Sequence, residues 1–521
     1  MTRPLRAALA AAALLLIIPG IALGRHATST LHARYLVVIV MDGYRPDYMA
    51  LAPMHNLHAL MASGMTYTRA WVGQLETETP TGHATIATGV YPRKHGVIGF
   101  VWKDPTLQNI TWMPTDTRLI NAGDMENLIE GGGVPTLSDL LHSQNPAAKS
   151  VAISGEKFYA VDAMGTGADY IVYGDSYGKN YGWIAPVSIG RHIAPARAHL
   201  SNLKIHSAAD PLTEDRFVAR IALRMVATVR PRMLLLNLPG ADIEGHRSGG
   251  VTAPVAIHNV DTNVDHILYQ ITSTYRHLGI YNQTLFVVTA DHGMLPNGHI
   301  VPRQAMYNTV RATGAPLLEM DFLSTAGYVF LRNPSDAPRV ASAVVAKHFR
   351  WVEGALYKVS VPGGFAFRVE PQTAKQLGPS LTRAYLDLAD TFASATSPDV
   401  VFPYAEDTLG EIVKGYGPHW GTHGGLSWRV QHIPLIMSGP GVRRGTSYFP
   451  AKLADIAPTI ERLMGFPIPK GVDGVVLGDA LTHPASGDVA HERAVAASRS
   501  ADVDALKAHS IAQHALVLDN Q

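Results

Sequence analysis

The segment YLVVIVM at residues 35–41 is followed directly by Asp42 and Gly43. An unbroken run of apolar, largely β-branched residues is typical of a strand that is buried on both faces, as in parallel sheets covered by helices. Open α/β sheets of this kind bind their ligands beyond the carboxyl ends of the strands. The segment therefore predicts a central strand of an α/β fold, in which Asp42 is either a ligand-binding residue or the cap of a turn.

Two further buried-strand patterns end in carboxylates and imidazoles. MLLLNL at residues 233–238 precedes Asp242 and His246. TLFVVTA at residues 284–290 precedes the pair Asp291–His292. Asp242 and His246 are four residues apart, so one helical turn could direct both at a metal ion, although such pairs also occur on ordinary helix surfaces. Because the carboxyl ends of parallel strands meet at one edge of a sheet, we expect these side chains to share a site.

The stretch ETPTGHATIATG at residues 78–89 carries the candidate nucleophile. Thr79 suits a helix N-cap, Pro80 suits the first helical position, and Gly89 suits the end of a short helix. The Thr79 hydroxyl would then lie at the positive end of a helix dipole, where unpaired backbone N–H groups favour an anion. On its own, this pattern more commonly indicates a capped surface helix, so the catalytic interpretation depends on the other segments.

Composition narrows the classes of partner and of chemistry. The chain has 521 residues, a formal net charge of +1 and only 16% charged residues, so it has no basic footprint for nucleic acid. It contains no cysteine, which leaves carboxylates and imidazoles as the ligands for any metal. Aspartate and histidine are therefore expected to carry the chemistry.

The N-terminus predicts export from the cytoplasm. Arg3 and Arg6 precede an apolar run at residues 7–18, and small residues follow it, as in a secretory signal peptide over residues 1–24. The protein would then be extracytoplasmic, either periplasmic or secreted. The alternative is an uncleaved anchor, through which alone the protein would contact a membrane. The oligomeric state is left open.

Pattern changes along the chain suggest a division into domains. We expect a main α/β domain over residues 30–294 and 417–480 that carries the site. Residues 295–416 have a mixed, less regular pattern and predict an inserted, smaller α+β subdomain that shapes substrate access. Residues 481–521 lack clear core periodicity and predict a peripheral tail.

A glycine-rich loop at residues 415–425 adds His423, and its glycines suit a backbone close to a bound ligand. Three aspartates and three histidines then divide into two triads that suit two Zn²⁺ ions, or other divalent metals, with positions left open for substrate. Two such ions bring four positive charges, and the carboxylates bring three negative charges. The net positive charge of the centre would favour binding of an oxyanion. Two metals about 4 Å apart can clamp an in-line displacement and activate a hydroxyl such as that of Thr79.

Lys157 follows a further buried-strand pattern, SVAIS at residues 150–154. From the turn after this strand its ammonium group could reach a phosphate. A solvent-exposed surface lysine is the more common case at such a position, and this is the interpretation that the sequence favours.

These motifs, in this order, resemble those of the alkaline phosphatase superfamily, and in particular of the type I phosphodiesterase and nucleotide pyrophosphatase family. The matching segments are MDG at 41–43, TPTGH at 79–83 with TGVYP at 88–92, residues 242–246, ADHG at 290–293 and THG at 422–424. The resemblance extends from about residue 35 to residue 477 and is weakest in the insertion. It implies a three-layer sandwich with a mostly parallel central sheet and helices on both faces.

The resemblance also implies a dizinc hydrolase of phosphodiester or phosphoanhydride bonds that forms a phospho-threonine intermediate on Thr79. Its substrate would be a small phosphate ester or anhydride. One metal would bind Thr79 and be held by Asp42, Asp291 and His292. The other would face the leaving group and be held by Asp242, His246 and His423.

Three positions depart from the family pattern. Pro80 follows the nucleophile where the family usually has an aromatic residue that helps to stack a base. Phe100 stands where the family has an asparagine that binds a phosphoryl oxygen. Related threonine phosphatases pair a lysine near the position of Lys157 with an arginine two residues later, and that arginine is absent here. The alternatives are a phosphomonoesterase or phosphonate hydrolase of the same fold, or a catalytically silent binding protein.

Overall fold

The computed structural model of the protein describes residues 32–104, 106–112, 124–155, 157–174, 183–184, 211–249, 254–297, 299–300, 303–321, 325–406, 408–409 and 420–519. The predicted signal peptide lies outside these residues. None of the helices among them is both long enough and apolar enough to cross a lipid bilayer.

Twenty strands occur in the described part of the chain. In chain order they are β1 (Tyr35–Met41), β2 (Met65–Tyr67), β3 (Val101–Lys103), β4 (Ile110–Trp112), β5 (Ser150–Ile153), β6 (Tyr170–Gly174), β7 (Trp183–Ile184), β8 (Met233–Leu238), β9 (Thr284–Thr289), β10 (Leu295–Pro296), β11 (His299–Ile300), β12 (Leu317–Asp321), β13 (Ala326–Leu331), β14 (Leu356–Val361), β15 (Gly364–Val369), β16 (Val400–Pro403), β17 (Thr408–Leu409), β18 (Gly421–Thr422), β19 (Leu435–Ser438) and β20 (Gly445–Ser447).

Fifteen α-helices accompany them in the same described ranges. They are α1 (His55–Ser63), α2 (Thr79–Thr88), α3 (Pro92–His95), α4 (Asp124–Gly131), α5 (Leu137–Gln144), α6 (Phe158–Met164), α7 (Pro211–Thr228), α8 (Gly240–Ser248), α9 (Pro254–His277), α10 (Arg303–Ala312), α11 (Ala337–Val345), α12 (Pro371–Ala389, kinked at Gly378), α13 (Trp428–Gln431), α14 (Ile456–Met464) and α15 (Ser486–Asp519).

The main sheet has nine strands in the order β20-β2-β19-β9-β1-β8-β5-β6-β7. Its centre is parallel: β1 pairs with β8 and β9, and β8 pairs with β5. Only β19 and β7 run against their neighbours. The expectation of a mostly parallel α/β sheet is therefore confirmed.

Burial explains why β1 is central. Every residue from Leu36 to Met41 is at most 1% exposed, and the facing residues of β8 and β9 are buried as well. At about 25 cal/mol for each Å² of apolar surface removed from water, burial on both faces favours such a continuous hydrophobic run in this position. The parallel pairing also brings the carboxyl ends of the three strands to one edge.

A second sheet lies within the region that the sequence predicts as an insertion. It has five antiparallel strands in the order β12-β13-β16-β14-β15, and α11 and α12 pack against it. The C-terminal residues form the long helix α15, which packs against α12 and α13. The proposed boundaries between domains stay a prediction.

Helix α2 begins one residue earlier than its sequence pattern predicts. Glu78 is the N-cap, in an extended conformation, so Thr79 is the first helical residue and not the cap. Glu78 makes no side-chain capping bond, and the rule that short polar side chains cap helices therefore selected the wrong residue. Gly89 ends the helix in the left-handed conformation, with φ of 68°, as predicted.

Candidate metal centre

The polar residues that follow the strands meet at the carboxyl edge of the main sheet. Asp42 follows β1, and Asp291 and His292 follow β9 after one intervening residue. Asp242 and His246 lie on α8, which begins just after β8. His423 follows β18, which pairs with β10 and so brings the end of the glycine-rich loop to this edge; residues 415–419 of that loop lie outside the described residues.

Six side chains form two groups, and within each group the potential ligand atoms all lie within 4.8 Å of one another. One group is Asp42, Asp291 and His292, and the other is Asp242, His246 and His423. The two groups adjoin, because the rings of His292 and His423 stack with centroids 3.7 Å apart. This is the grouping that the resemblance implies, and the role of these residues as metal ligands stays a prediction.

The three imidazoles of these groups are oriented in the same way. In each ring Nδ1 lies 2.9 Å from a backbone carbonyl oxygen, which accepts its proton. The carbonyls belong to Gly293 for His292, Gly421 for His246 and Thr77 for His423. The Nε2 atoms face the carboxylates, at 3.3 Å from Asp291 for His292 and at 3.4 Å from Asp242 for the other two rings. Each ring therefore directs its Nε2 at the centre, which is the orientation in which metal-binding histidines are held.

Asn237 supports the first group from behind, and sequence reasoning did not identify it. Its Nδ2 donates to Asp42 Oδ2 at 3.0 Å, and its Oδ1 lies 3.2 Å from His83 Nε2. His83 Nδ1 in turn lies 2.8 Å from the carbonyl oxygen of Thr79. The amide thus connects a carboxylate of the centre to helix α2. A polar residue inside the apolar strand MLLLNL was the signal in the sequence.

Thr79 places its hydroxyl against the first of the two groups, beside the ammonium group of Lys157. Its Oγ1 lies 3.5 Å from Asp42 Oδ1 and 3.3 Å from His292 Nε2, and the residue is 1% exposed. As the first residue of α2 it lies where backbone N–H groups have no partner within the helix. A reacting anion beside this hydroxyl would therefore face both the helix N-terminus and the imidazoles.

Lys157 is not a surface residue, so the interpretation that the sequence favoured is wrong. It is 6% exposed, and its Nζ lies 2.9 Å from Asp42 Oδ1, 2.5 Å from Asp242 Oδ2 and 3.4 Å from Thr79 Oγ1. Although burial opposes the charge, Asp242 and Asp42 hold the pKa of Lys157 well above its ordinary value. A charged ammonium group therefore reaches the centre from the start of α6.

The donor set fits divalent cations. Three buried carboxylates face one ammonium group, which leaves two negative charges uncompensated within the centre. Asp242 Oδ1 and Asp291 Oδ2 are buried and accept no hydrogen bond. Burial and the charge of Asp291 raise the pKa of Asp42 to about 6. Desolvated carboxylates of this kind are stable only beside cations, and carboxylate with imidazole is a ligand set for Zn²⁺ and related metals.

Gly43 makes the close approach of the two groups possible. It has φ of +67°, and a Cβ there would lie 2.8 Å from the Cβ of Asp242. Its backbone N–H donates to Asp291 Oδ1 at 3.1 Å. A side chain at this position would separate Asp42 from Asp242, which explains why glycine follows the first aspartate.

Pro80 and Phe100, two of the positions that depart from the family pattern, offer the centre no polar contact in this structure. Pro80 is buried in α2. The ring of Phe100 packs edge to face on Tyr159, with centroids 5.0 Å apart. Its backbone N–H donates to Glu78 Oε2 at 3.1 Å, so this residue joins the segment before the nucleophile to α6.

Comparison with known proteins places the chain among phosphoric ester hydrolases. The family model described as type I phosphodiesterase / nucleotide pyrophosphatase matches residues 36–377. Ectonucleotide pyrophosphatase/phosphodiesterase 1 of Saccharomyces cerevisiae is 26% identical over 278 residues, which are 50% of this chain and only 33% of that protein. Alkaline phosphatase PhoD of Zymomonas mobilis is 22% identical to this chain over 529 aligned residues. The alignment covers 85% of this chain and 87% of that protein.

Among solved structures, wild-type alkaline phosphatase PafA superposes with a TM-score of 0.63 at 16% sequence identity. The superposition covers 86% of this chain and 99% of that protein. At this level of identity the likeness concerns the fold, and it agrees with the α/β sandwich described above.

Proposed function

Since the chain belongs to the type I phosphodiesterase / nucleotide pyrophosphatase family, we propose that it hydrolyses phosphodiester or phosphoanhydride bonds of small molecules with two divalent metal ions, Zn²⁺ being the best fit. The observation that carries this proposal is the buried Thr79 hydroxyl, which contacts Asp42 and His292 in one of two adjoining groups of carboxylates and imidazoles. A silent binding protein has no need for a buried hydroxyl in this position.

Each residue has a role in the proposed reaction. Asp42, Asp291 and His292 would hold one metal, and Asp242, His246 and His423 the other. When bound, such ions lower the pKa of a hydroxyl nucleophile and stabilise the charge on the attacking and leaving oxygens. Thr79 Oγ1 attacks phosphorus, a P–Oγ bond forms, and the bond to the leaving oxygen breaks. The hydroxyl proton goes to solvent, the leaving group takes up a proton, and water then hydrolyses the phospho-threonine.

Lys157 supports a second candidate, a phosphomonoesterase. Its ammonium group lies 3.4 Å from Thr79 Oγ1 and can neutralise one phosphoryl oxygen of a phosphate bound there. A monoester carries one more negative charge than a diester and gains more from this contact. The absence of the partnering arginine argues the other way, and the diester therefore remains the first candidate.

We further propose that the protein acts outside the cytoplasm. The support is the sequence of residues 1–24, with basic residues before an apolar run and small residues after it. N-terminal sequencing of the protein recovered from a fractionated host would test cleavage. Recovery of the uncleaved chain in the membrane fraction would instead favour an anchor.

A substrate panel tests the reaction itself. The purified chain is stripped with a chelator, reloaded with Zn²⁺ and assayed with bis(4-nitrophenyl) phosphate, ATP, 4-nitrophenyl phosphate, a phosphonate ester and 4-nitrophenyl sulfate. We expect kcat/KM to be highest for a diester or anhydride, and activity to require metal. Preference for the monoester would select the second candidate, whereas turnover that survives chelation would contradict the dizinc proposal.

A further inference from the structure

Helix α8 carries two of the three side chains of the second group, so the metal centre depends on where this helix begins. Asp242 is its third residue, and His246 follows one turn later. The N-cap is Pro239, whose side chain has no hydrogen-bond acceptor and makes no capping bond. Because the first N–H groups of a helix have no partner within it, the start of α8 needs an acceptor from another segment.

Asp215 on α7 supplies this acceptor. Its Oδ1 accepts the backbone N–H of Gly240, the first residue of α8, at 2.8 Å. Asp215 is fully buried, and α7 packs against α8. A side chain 25 residues away in the chain therefore caps α8, as a polar N-cap residue does in most helices.

The first turn of α8 is closely packed, so a shift at its start would move a ligand. A Cβ at Gly43 would lie 2.8 Å from the Cβ and 2.9 Å from the Cα of Asp242. At the N-cap, a Cβ at Gly155 would lie 2.9 Å from Cγ of Pro239. Interiors packed this tightly transmit small displacements to their neighbours. A change in the cap of α8 should therefore change the position of Asp242.

An acid at position 215 carries an energetic cost that the cap explains. Burial raises the pKa of Asp215 to about 7, although the hydrogen bond from Gly240 opposes this shift. An apolar residue would avoid this cost, but it would leave the buried N–H of Gly240 without its acceptor. The N–H group needs an oxygen atom and not a full charge, so an asparagine can replace the aspartate as the cap.

We propose that Asp215 is a positioning residue of the second metal site, because its cap on α8 holds Asp242 and His246 in the direction that binds the ion. Asp215 is not one of the six proposed ligands and acts through the backbone of Gly240. This inference rests on the proposed metal ligands. Side chains that orient metal ligands typically change the affinity for the metal by about 10–100-fold when they are replaced.

Helix α1 offers a matched control within the same chain. Its N-cap is Met54, which makes no side-chain bond, and Asp265 of α9 caps the helix instead. Asp265 Oδ1 accepts the backbone N–H groups of Asn56 and Leu57 at 2.8 and 3.0 Å. None of the six proposed ligands lies on α1. Replacing Asp265 therefore removes a cap of the same kind from a helix that carries no ligand.

Competition with a chromophoric chelator tests the proposal by measuring the affinity of the full chain for each Zn²⁺ ion, without a substrate. In Asp215→Ala we expect one ion to keep its wild-type affinity and the other to bind about 10–100-fold more weakly. Asp215→Asn keeps the acceptor and should restore most of this affinity, whereas Asp265→Ala should bind both ions as the wild type does. In a His423→Ala background, where the second group already lacks a ligand, Asp215→Ala should not weaken the remaining ion.

Urea unfolding of the metal-free proteins separates positioning from stability. Asp215→Ala and Asp265→Ala should both unfold at lower urea concentrations than the wild type, and only the first should lose affinity for one ion. If Asp215→Ala does not fold, Asp215→Ser replaces it, because its oxygen lies one bond closer to the backbone and falls short of Gly240. Unchanged affinity in the folded variant, or equal weakening of both ions, would overturn the positioning role and leave the proposed function standing. A wild type that binds no Zn²⁺ would contradict the proposed metal centre, and this inference with it.

Discussion

Single atoms decide the properties of the candidate metal centre. The backbone carbonyls at Gly293, Gly421 and Thr77 each orient one imidazole, so that three Nε2 atoms face three carboxylates. At metal sites, the ring nitrogen that does not bind the metal commonly donates a hydrogen bond to the protein. This bond fixes both the tautomer and the direction of the ring. Each histidine is therefore held in a fixed direction. Replacing one of them should remove a ligand from one metal and leave the ligands of the other metal in place.

For His423→Ala we expect the metal content to fall from two ions per chain to about one, because the second group would lose a ligand while the first keeps all of its own. Turnover should fall by at least about 100-fold. Elemental analysis of the dialysed protein measures the first effect. His55→Ala, at the exposed start of α1, is the matched control. An unchanged metal content in His423→Ala would remove this residue from the proposed ligand set.

Thr79→Ala separates catalysis from metal binding. We expect turnover to fall by at least about 10⁴-fold, as for other nucleophile deletions, while metal content is retained because six side-chain ligands remain. Thr81→Ala is the matched control, since Thr81 is buried in the same helix and its hydroxyl has no partner. Mass spectrometry of acid-quenched wild type should show a phosphorylated peptide that contains Thr79. Full activity in Thr79→Ala would assign the nucleophile to another group.

Glu461 on α14, which is not one of the residues of the centre, predicts a pH-dependent stability. It is 1% exposed, its Oε2 has no partner, and burial raises its pKa from 4.5 to about 8. The folded state therefore holds a proton that the unfolded state has released, so this group's contribution to stability is complete below pH 4.5 and is lost as pH rises towards 8. Glu461→Gln should remove this pH-dependent loss of stability. Its free energy of unfolding should be close to that of the wild type at pH 4.5 and higher by more than about 1.4 kcal/mol at pH 8. Urea unfolding at both pH values measures it, and an equal effect at both would contradict the burial argument.

At the scale of the element, helix α2 positions the nucleophile by packing on helix α6 and against the residues that follow β9. All ten of its residues are buried, which is uncommon for a short helix with mixed composition. Gly82 makes this packing possible. A Cβ at this position would lie 2.8 Å from the carbonyl oxygen and 2.9 Å from the Cβ of Asp291. The helix therefore lies directly against a residue of the metal centre.

Gly82→Ala should for this reason destabilise the protein. In an open helix the change stabilises by about 1 kcal/mol, but here overpacking should cost about 1–3 kcal/mol. It should also displace Asp291 from Thr79 and lower kcat more than it raises KM. Thermal unfolding and steady-state kinetics measure the two effects. Gly487→Ala in α15, where a Cβ meets nothing within 4 Å, is the control and should be neutral or stabilising.

At the scale of the whole molecule, the C-terminal helix α15 is held to the main domain by a buried ion pair. Arg499 donates from Nη1 to Asp455 Oδ2 at 2.6 Å and from Nη2 to Asp455 Oδ1 at 3.1 Å. Asp455 also accepts the backbone N–H groups of Lys452 and Val475. The segment predicted as a peripheral tail, residues 481–521, therefore contributes a buried arginine that pairs with Asp455 of the main domain.

Arg499→Met should destabilise the protein by about 3–5 kcal/mol, because it leaves the Asp455 carboxylate buried without its charged partner. Arg493→Met, on an exposed position of the same helix, should change stability by less than about 0.5 kcal/mol. Equilibrium urea unfolding monitored by circular dichroism measures both. A similar effect of the two substitutions would show that the ion pair does not hold α15 to the core.

Much of the fold and of the centre could be predicted from local patterns. Buried strands require continuous apolar runs, and the polar residues after them are adjacent in sequence to those runs, so Asp42, Asp291 and His292 were found together with their strands. The family followed from the order of these motifs and is confirmed by the family model. The sequence rule for helix caps placed the N-cap of α2 one residue too late, at Thr79 instead of Glu78. It failed because packing, and not a side-chain capping bond, holds this N-terminus.

The sequence by itself therefore determined the α/β architecture, the family and the set of side chains that could meet at one edge of the sheet. Only the tertiary structure decided which charges are buried and what they face. Lys157 is placed against Asp42 and Asp242, which are 115 and 85 residues away. Glu76 and Glu78 share a cavity with Asp321 of the insertion. The physical reason is that desolvation and charge pairing depend on segments distant in the chain, whereas strand and helix patterns depend on neighbours.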